Sequence, residues 1–143
     1  MLTVQFHEKV DDSLLHFAVI LARHQGRYIF CQHREQGTFE MPGGHREPGE
    51  AILDTARREL QEETGATAFT LSPVCCYSVT GPTCVQPGGG QSYGLLCLAD
   101  VTALGDIHSE IARIVLMDAL PQRITYPEIQ PALFAECRRR GLI

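Results

Sequence analysis

Residues 44–66, GHREPGEAILDTARRELQEETGA, are the stretch of this chain that decides its fold. Four apolar residues recur in it at the spacing that places side chains on one face of a helix. They are Ile52, Leu53, Ala56 and Leu60. Pro48-Gly49 breaks the chain before them, and Gly65 stands where glycine often ends a helix. The sequence therefore predicts one helix over residues 50–64.

The predicted helix has an unusual distribution of charge. Glu59, Glu62 and Glu63 fall inside an arc of about 100°, because successive helical residues are rotated by about 100°. Like charges at these spacings repel each other, and the C-terminal end of a helix is already negative. The arrangement therefore favours a bound cation, and carboxylate oxygens suit a divalent ion such as Mg²⁺ or Mn²⁺.

The composition fits one domain over residues 1–143. Of the 143 residues, 44% are hydrophobic, which is enough for a single core. The net charge of −5 argues against general nucleic-acid binding through a basic face. No apolar run is long enough to span a membrane, and no signal peptide is recognisable in the first residues. The cytoplasm is therefore the expected location.

The six cysteines predict neither a metal site nor a disulfide framework. None of them forms a CxxC pair, and no histidine pair at zinc-finger spacing follows any of them. Four lie in apolar, strand-like segments, where a free cysteine behaves as a small apolar residue. These four are Cys31, Cys75, Cys76 and Cys97. Reduced structural thiols are therefore expected.

The rest of the chain predicts strands and a second helix. β-branched, aromatic and apolar residues are concentrated in six segments that predict strands. These segments are residues 14–22, 28–33, 39–41, 68–79, 92–101 and 111–117. Residues 126–140 predict the final helix, with arginines at its negative end, and the glycine-rich residues 81–91 predict a loop. The mixed order of elements predicts an α+β fold with a mixed sheet between helices.

The spacing within residues 44–66 resembles the signature of the Nudix hydrolases, GX₅EX₇REUXEEXGU, in which U is a bulky aliphatic residue. The charged and glycine positions of that signature are matched by Gly44, Glu50, Arg58, Glu59, Glu62, Glu63 and Gly65. The one departure is Ala66 at the last U position, and this loss of bulk is expected to affect packing more than chemistry. Residues 39–43, FEMPG, also resemble the segment that precedes the signature in the family.

The resemblance implies a fold, a reaction and a cofactor. The implied fold is a Nudix-type α/β/α sandwich in a small, single-domain, MutT-like member. The implied reaction is metal-dependent hydrolysis of a nucleoside diphosphate linked to another moiety. The implied cofactor is Mg²⁺ or Mn²⁺, because such ions neutralise phosphate charge and lower the pKa of bound water.

The resemblance also implies roles for individual residues of the signature. The implied metal ligands are the carboxylates of Glu59, Glu62 and Glu63 and the backbone carbonyl of Gly44 or Gly43. Arg58 would orient the carboxylates through a salt bridge. Glu50 would be a supporting acid near the start of the helix.

Residues outside the signature supply further candidates for the site. Family members often take a general base or an extra ligand from an acid in a loop before a late strand, and Glu110 precedes the predicted strand 111–117. Arg34 and Glu40 occupy positions suited to substrate binding. No role is assigned to His33, His45 or His108.

The resemblance leaves the substrate partly open. In length and layout the chain is most similar to MutT-like members that cleave (deoxy)nucleoside triphosphates to monophosphate and pyrophosphate. Members specific for oxidised guanine read the base with an asparagine near the last helix, whereas this chain has no asparagine. ADP-ribose and dinucleoside polyphosphates stay open as substrates, as does a non-catalytic nucleotide-binding role. The oligomeric state, with a homodimer among the options, is left open as well.

Overall fold

One mixed sheet with a helix on each face forms the framework of the molecule. The computed structural model describes residues 2–33, 37–82, 89–107 and 111–143. Within these residues the strands are β1 (Thr3–His7), β2 (Leu15–His24), β3 (Arg27–His33), β4 (Phe39–Glu40), β5 (Gly43–His45), β6 (Ala66–Thr80), β7 (Gln91–Leu104) and β8 (Ile111–Met117). The helices are α1 (Ile52–Thr64) and α2 (Gln130–Arg139), and a 3₁₀ turn spans Asp12–Leu14.

Strand β2 is the centre of the sheet. The main path runs β1-β6-β7-β2-β3-β4, with β5 beside β2 and β8 beside β3. The pair β2–β7 is parallel, with Phe17 opposite Gly94 and Arg23 opposite Asp100. The other pairs are antiparallel. The sheet is therefore mixed, as predicted.

Alternate residues of the central strands pack into two hydrophobic clusters, one on each face of the sheet. In β2, Ile20 belongs to the cluster that contains α1, and Leu21 belongs to the cluster that contains α2. Ala56 and Leu60 of α1 are fully buried, as are Leu133 and Cys137 of α2. Because side chains of a strand alternate between faces, each face of the sheet needs its own cover. The predicted α+β fold with a sheet between helices is confirmed.

Helix α1 begins two residues later than predicted. Gly49 has a φ of +77°, which a helix does not allow, and Glu50 is held in a turn by a hydrogen bond from its N–H to the Glu47 carbonyl. Ala51 is extended and precedes the first helical residue. The C-terminal end is as predicted, because Gly65 adopts a φ of +76° and caps the helix.

Two strands and one helix start were missed by the sequence prediction. Residues 3–7 were given no structure, but they form β1 and pair with β6. Residues 42–44 lie outside the predicted strands, whereas Gly43 and Gly44 form part of β5 and pair with β2. The final helix begins at Gln130 rather than at residue 126, because residues 126–129 form a turn in which Ile129 N–H donates to the Tyr126 carbonyl.

The described cysteines agree with the prediction of reduced structural thiols. The described cysteines are free and buried, namely Cys31, Cys75, Cys76, Cys97 and Cys137. Cys84 lies outside the described residues, as does most of the predicted glycine-rich loop. In the described part of the chain, neither helix has the length and apolar character needed to cross a membrane.

Candidate metal-binding active site

Arg58 is the hub of a network of carboxylates on α1 and in the loop before it. Its guanidinium donates two hydrogen bonds to Glu50, from Nε to Oε2 at 2.8 Å and from Nη2 to Oε1 at 3.0 Å. Nη1 donates to Glu59 Oε1 at 2.8 Å and to Glu62 Oε2 at 3.3 Å. Nη2 also donates to the His45 carbonyl at 2.9 Å. One side chain thus fixes three carboxylates and the end of β5.

Arg58 keeps the Glu50 carboxylate ionised at neutral pH. The hydrogen bonds from Arg58, followed by one from the Thr55 hydroxyl, lower the pKa of Glu50 to about 2. The same contacts raise the pKa of Arg58 above its usual value. Glu47 adds a weaker ion pair, with 3.7 Å between Arg58 Nη1 and Glu47 Oε1. Glu50 therefore anchors Arg58, in line with the supporting role that the sequence implies.

Glu59 is packed against Gly44 of β5. A Cβ atom on residue 44 would collide with the Glu59 carboxylate, so a larger residue there would displace this carboxylate from its contact with Arg58. Burial raises the pKa of Glu59, Arg58 opposes the increase, and the charge of Glu62 adds to it. The carboxylate and the backbone of β5 are thus held together, as a shared metal site for Glu59 and Gly44 requires.

Glu63 lies deeper than the other acids of α1. It is 9% exposed, and its Oε1 accepts a hydrogen bond of 2.8 Å from the Gly43 N–H. Burial is the largest effect on this group and raises the pKa of Glu63 to about 8, with the charges of Glu59 and Glu40 adding to the increase. Glu63 is therefore protonated at neutral pH unless a cation takes the place of the proton.

His33 and Glu40 meet beside Glu63. His33 Nε2 lies 2.7 Å from Glu40 Oε1, and Glu40 is 8% exposed. One donor atom from each of His33, Glu40 and Glu63 falls within 4.8 Å of the others. The sequence gave no role to His33, because its contact depends on the pairing of β3 with β4, which local spacing does not predict. Glu40 was assigned to substrate, and the structure places it beside a predicted metal ligand.

The structure brings the signature residues together. Two candidate site residues outside the signature are not among the described residues. Arg58 donates hydrogen bonds to Glu59 and Glu62. Glu63 accepts one from the Gly43 N–H, and Gly44 lies against the Glu59 carboxylate. Glu62 is the most open of the signature acids, with a side chain that is 52% exposed. Arg34 and Glu110 lie outside the described residues.

The donor set fits a divalent cation. Carboxylate and backbone carbonyl oxygens are ligands that Mg²⁺ and Mn²⁺ accept. Burial and mutual repulsion raise the pKa of Glu59 and Glu63. A positive charge nearby would therefore stabilise the ionised form of both carboxylates. The site can therefore hold a cation and place it beside the backbone of β5.

Comparison with known proteins agrees with this geometry. The model of the family described as NUDIX domain matches residues 13–132. A Bacillus subtilis (strain 168) protein, provisionally named 8-oxo-dGTP diphosphatase YtkD, is 40% identical over 71 residues. These residues are 50% of this chain and 44% of that protein, so the match spans less than half of the relative's length.

Solved structures share the fold at low sequence identity. A crystal structure of a mutant of the Bacillus subtilis pyrophosphohydrolase BsRppH aligns with a TM-score of 0.78 at 22% identity, covering 99% of this chain and 92% of that one. A C. elegans Ap4A hydrolase in a binary complex aligns with a TM-score of 0.60 at 17% identity, covering 89% of this chain and 99% of that one. The family match, the shared fold and the folded signature together show that the chain belongs to the NUDIX domain family, the Nudix hydrolases.

Proposed function

We propose that this chain hydrolyses the phosphoric anhydride bond of a nucleoside diphosphate linked to another moiety. The first candidate reaction converts a (deoxy)nucleoside triphosphate to its monophosphate and pyrophosphate. The observation that supports the proposal most directly is the convergence of Arg58, Glu59 and Glu63 with the Gly43–Gly44 backbone. An acidic protein can accept a polyphosphate when cations compensate the charge of both partners.

The residues of α1 would hold Mg²⁺ or Mn²⁺. The proposed ligands are Glu59, Glu62, Glu63 and the carbonyl of Gly44. A divalent ion bound there supplies neutralisation of phosphate charge and a lower pKa of bound water. Arg58 keeps the Glu59 and Glu62 carboxylates in place, and Glu50 keeps Arg58 in place. The rigid helix is suited to this task because its side chains are fixed relative to one another.

Residues outside α1 would complete the site. We assign Glu110 as general base, in keeping with its place before β8, and Arg34 to the substrate phosphates. Glu40 would act near the substrate from its position beside Glu63. The assignments of Glu110 and Arg34 rest on sequence position alone.

The relatives support a nucleotide substrate and leave its base and leaving group open. The B. subtilis relative carries the name of an 8-oxo-dGTP diphosphatase, which favours a purine nucleoside triphosphate. The chain lacks the asparagine expected for reading oxidised guanine, so dGTP and its oxidised form are to be compared directly. An Ap4A hydrolase shares the fold, and a dinucleoside polyphosphate is therefore the second candidate.

A product-release screen tests the proposal. Purified protein is incubated with dNTPs, 8-oxo-dGTP, ADP-ribose and dinucleoside polyphosphates, each with Mg²⁺ and with Mn²⁺, and the products are resolved by ion-exchange chromatography. We expect metal-dependent release of a nucleoside monophosphate, with pyrophosphate from triphosphates. Glu63→Gln serves as the inactive control, and Asp54→Asn serves as its match, because Asp54 is an exposed acid of the same helix.

A non-catalytic nucleotide-binding module is the alternative outcome. It would show nucleotide binding by calorimetry and no turnover of any substrate at high enzyme concentration with either metal. That result would refute the hydrolase proposal and would leave family membership intact.

A further inference from the structure

We propose that His33, Glu40 and Glu63 form a mixed nitrogen and oxygen site that selects a transition-metal ion such as Mn²⁺ or Co²⁺ over Mg²⁺. The inference deepens the proposed function, because Glu63 would be shared with the carboxylate site of α1. It adds a nitrogen ligand from outside the signature, and with it a preference among divalent ions.

Three separate elements bring the donor atoms together. His33 is the last residue of β3, Glu40 is the last residue of β4, and Glu63 lies in the final turn of α1. One ring nitrogen and two carboxylate oxygens from these residues lie within 4.8 Å of one another. His33 and Glu40 are seven residues apart, whereas Glu63 is distant from both in the sequence, so its convergence with them is a product of the fold.

Two of the three donor atoms need only a small movement to share an ion. Two ligands that are each about 2.0–2.2 Å from one ion lie about 3 Å apart. The His33 Nε2 to Glu40 Oε1 distance is 2.7 Å. A shift of well under 1 Å would therefore let these two atoms ligate the same cation. The His33 side chain is 28% exposed, which gives solvent ions access to the cluster.

The two carboxylates of the cluster lack a compensating guanidinium or ammonium group among the described residues. Glu40 receives its hydrogen bond from His33, and Glu63 receives one from the Gly43 N–H. Both carboxylates are less than one-tenth exposed. Bringing two acids together away from water is costly unless a positive charge joins them. A cation would supply the positive charge that lets both acids ionise together.

The imidazole nitrogen determines which cation is favoured. Mg²⁺ prefers oxygen ligands and gives up its waters reluctantly. Imidazole is a good ligand for first-row transition metals, and affinity rises along the series from Mn²⁺ to Co²⁺. A site with one nitrogen and two oxygens therefore discriminates against Mg²⁺, whereas the all-oxygen group of Glu59, Glu62 and Gly44 does not.

Mn²⁺ and Mg²⁺ titrations of matched variants test the inference. Free Mn²⁺ is followed by electron paramagnetic resonance for the wild type, His33→Gln, Glu40→Gln and the control His16→Gln, which changes an exposed histidine. Mg²⁺ affinity is obtained by competition. We expect His33→Gln and Glu40→Gln to weaken Mn²⁺ binding by about tenfold or more, since changes in supporting residues of a metal site already cost this much. His16→Gln should bind as the wild type does, and loss of Mg²⁺ affinity in His33→Gln should be at most about threefold, since Mg²⁺ gains little from nitrogen.

A measurement on the unmodified protein covers the case in which a variant fails to fold. Substoichiometric Mn²⁺ should broaden the imidazole NMR signals of His33 and leave those of His16 sharp. Unchanged Mn²⁺ affinity in a folded His33→Gln, or no selective broadening of His33 in the wild type, would overturn the inference.

The test separates this inference from the proposed function. Hydrolysis without any effect of His33 on Mn²⁺ binding refutes the mixed-ligand site and leaves the hydrolase assignment standing. Loss of Mn²⁺ affinity in His33→Gln, in a protein that hydrolyses nothing, supports the site and refutes the hydrolase assignment.

Discussion

The two ends of the acidic cluster contain the same residue type in opposite electrostatic environments. At the Arg58 end, the guanidinium lowers the pKa of Glu50 to about 2 and holds Glu59 and Glu62 by hydrogen bonds. At the Glu63 end, burial raises the pKa of Glu63 to about 8, and the neighbour is another acid, Glu40. The difference indicates that the charges at the Arg58 end are already compensated, whereas the Glu63 end would be stabilised by a cation.

Replacing Glu63 should give the largest effect. Glu63→Gln removes a proposed metal ligand, and we expect turnover to fall by about 100-fold or more, since even changes in residues that support a ligand cost 10–100-fold. Stability of the metal-free protein should change little below pH 4.5, where a glutamine resembles the protonated acid, and at pH 7 the variant should be at least as stable as the wild type. Steady-state kinetics and urea unfolding measure the two effects. Retained activity would move the catalytic assignment elsewhere.

Adding metal should stabilise the protein through the Glu63 end. With Mn²⁺ at about 100 times its dissociation constant, the free energy of unfolding should rise by about 2.7 kcal/mol. The gain follows from relief of repulsion among the acids and should be largely absent in Glu63→Gln. Thermal unfolding with and without Mn²⁺ measures it, with Asp54→Asn as the matched control. An equal gain in Glu63→Gln would place the ion elsewhere.

Replacing Arg58 should disturb its own end of the cluster less severely. Arg58→Lys keeps the charge and loses the planar set of donors that contacts Glu50 and Glu59 together. We expect about a tenfold loss of turnover, at the low end of the range for residues that support a metal ligand. Arg57→Lys is the control, because Arg57 makes a surface pair with Asp54. Equal kinetics for both variants would contradict the hub role of Arg58.

The pH dependence of stability should also separate the two ends. The pKa of Glu63 is higher in the folded state than its ordinary value of 4.5, so its contribution is fully present below pH 4.5 and is lost as pH rises toward about 8. The metal-free protein should therefore lose up to about 1.4 kcal/mol per pH unit in this window. Glu50 has the opposite sign, and its contribution is lost as pH falls from 4.5 toward about 2.

Urea unfolding of metal-free protein at several pH values measures both windows. Glu63→Gln should flatten the slope between pH 5 and 8 and leave the acid window unchanged. A slope that persists in Glu63→Gln would assign the proton uptake to another group.

The sequence predicted the side-chain contacts of Arg58 and did not predict those of Glu63. Arg58, Glu59 and Glu62 are neighbours on one helix, so their contacts follow from helical spacing. Gly65 likewise capped α1 as predicted, because its role is local. The contact of Glu63 with His33 and Glu40 depends on how β3, β4 and α1 pack, which involves distant residues.

The glycines of β5 illustrate the same limit. Gly43 and Gly44 lie outside the predicted strands, yet they pair with β2 as extended residues. Their lack of a side chain matters because Ala18 and Glu59 approach them closely. Such steric demands come from tertiary packing, and the local sequence does not reveal them.

Proton release on metal binding tests the central comparison most directly. Isothermal titration of Mn²⁺ at pH 7, in buffers with different ionisation enthalpies, reports the number of protons released per ion. The wild type and Asp54→Asn should release about one proton, because Glu63 is protonated before the ion binds. Glu63→Gln should release close to none. No release from the wild type, or the same release from Glu63→Gln, would contradict the claim that a cation replaces the proton of Glu63.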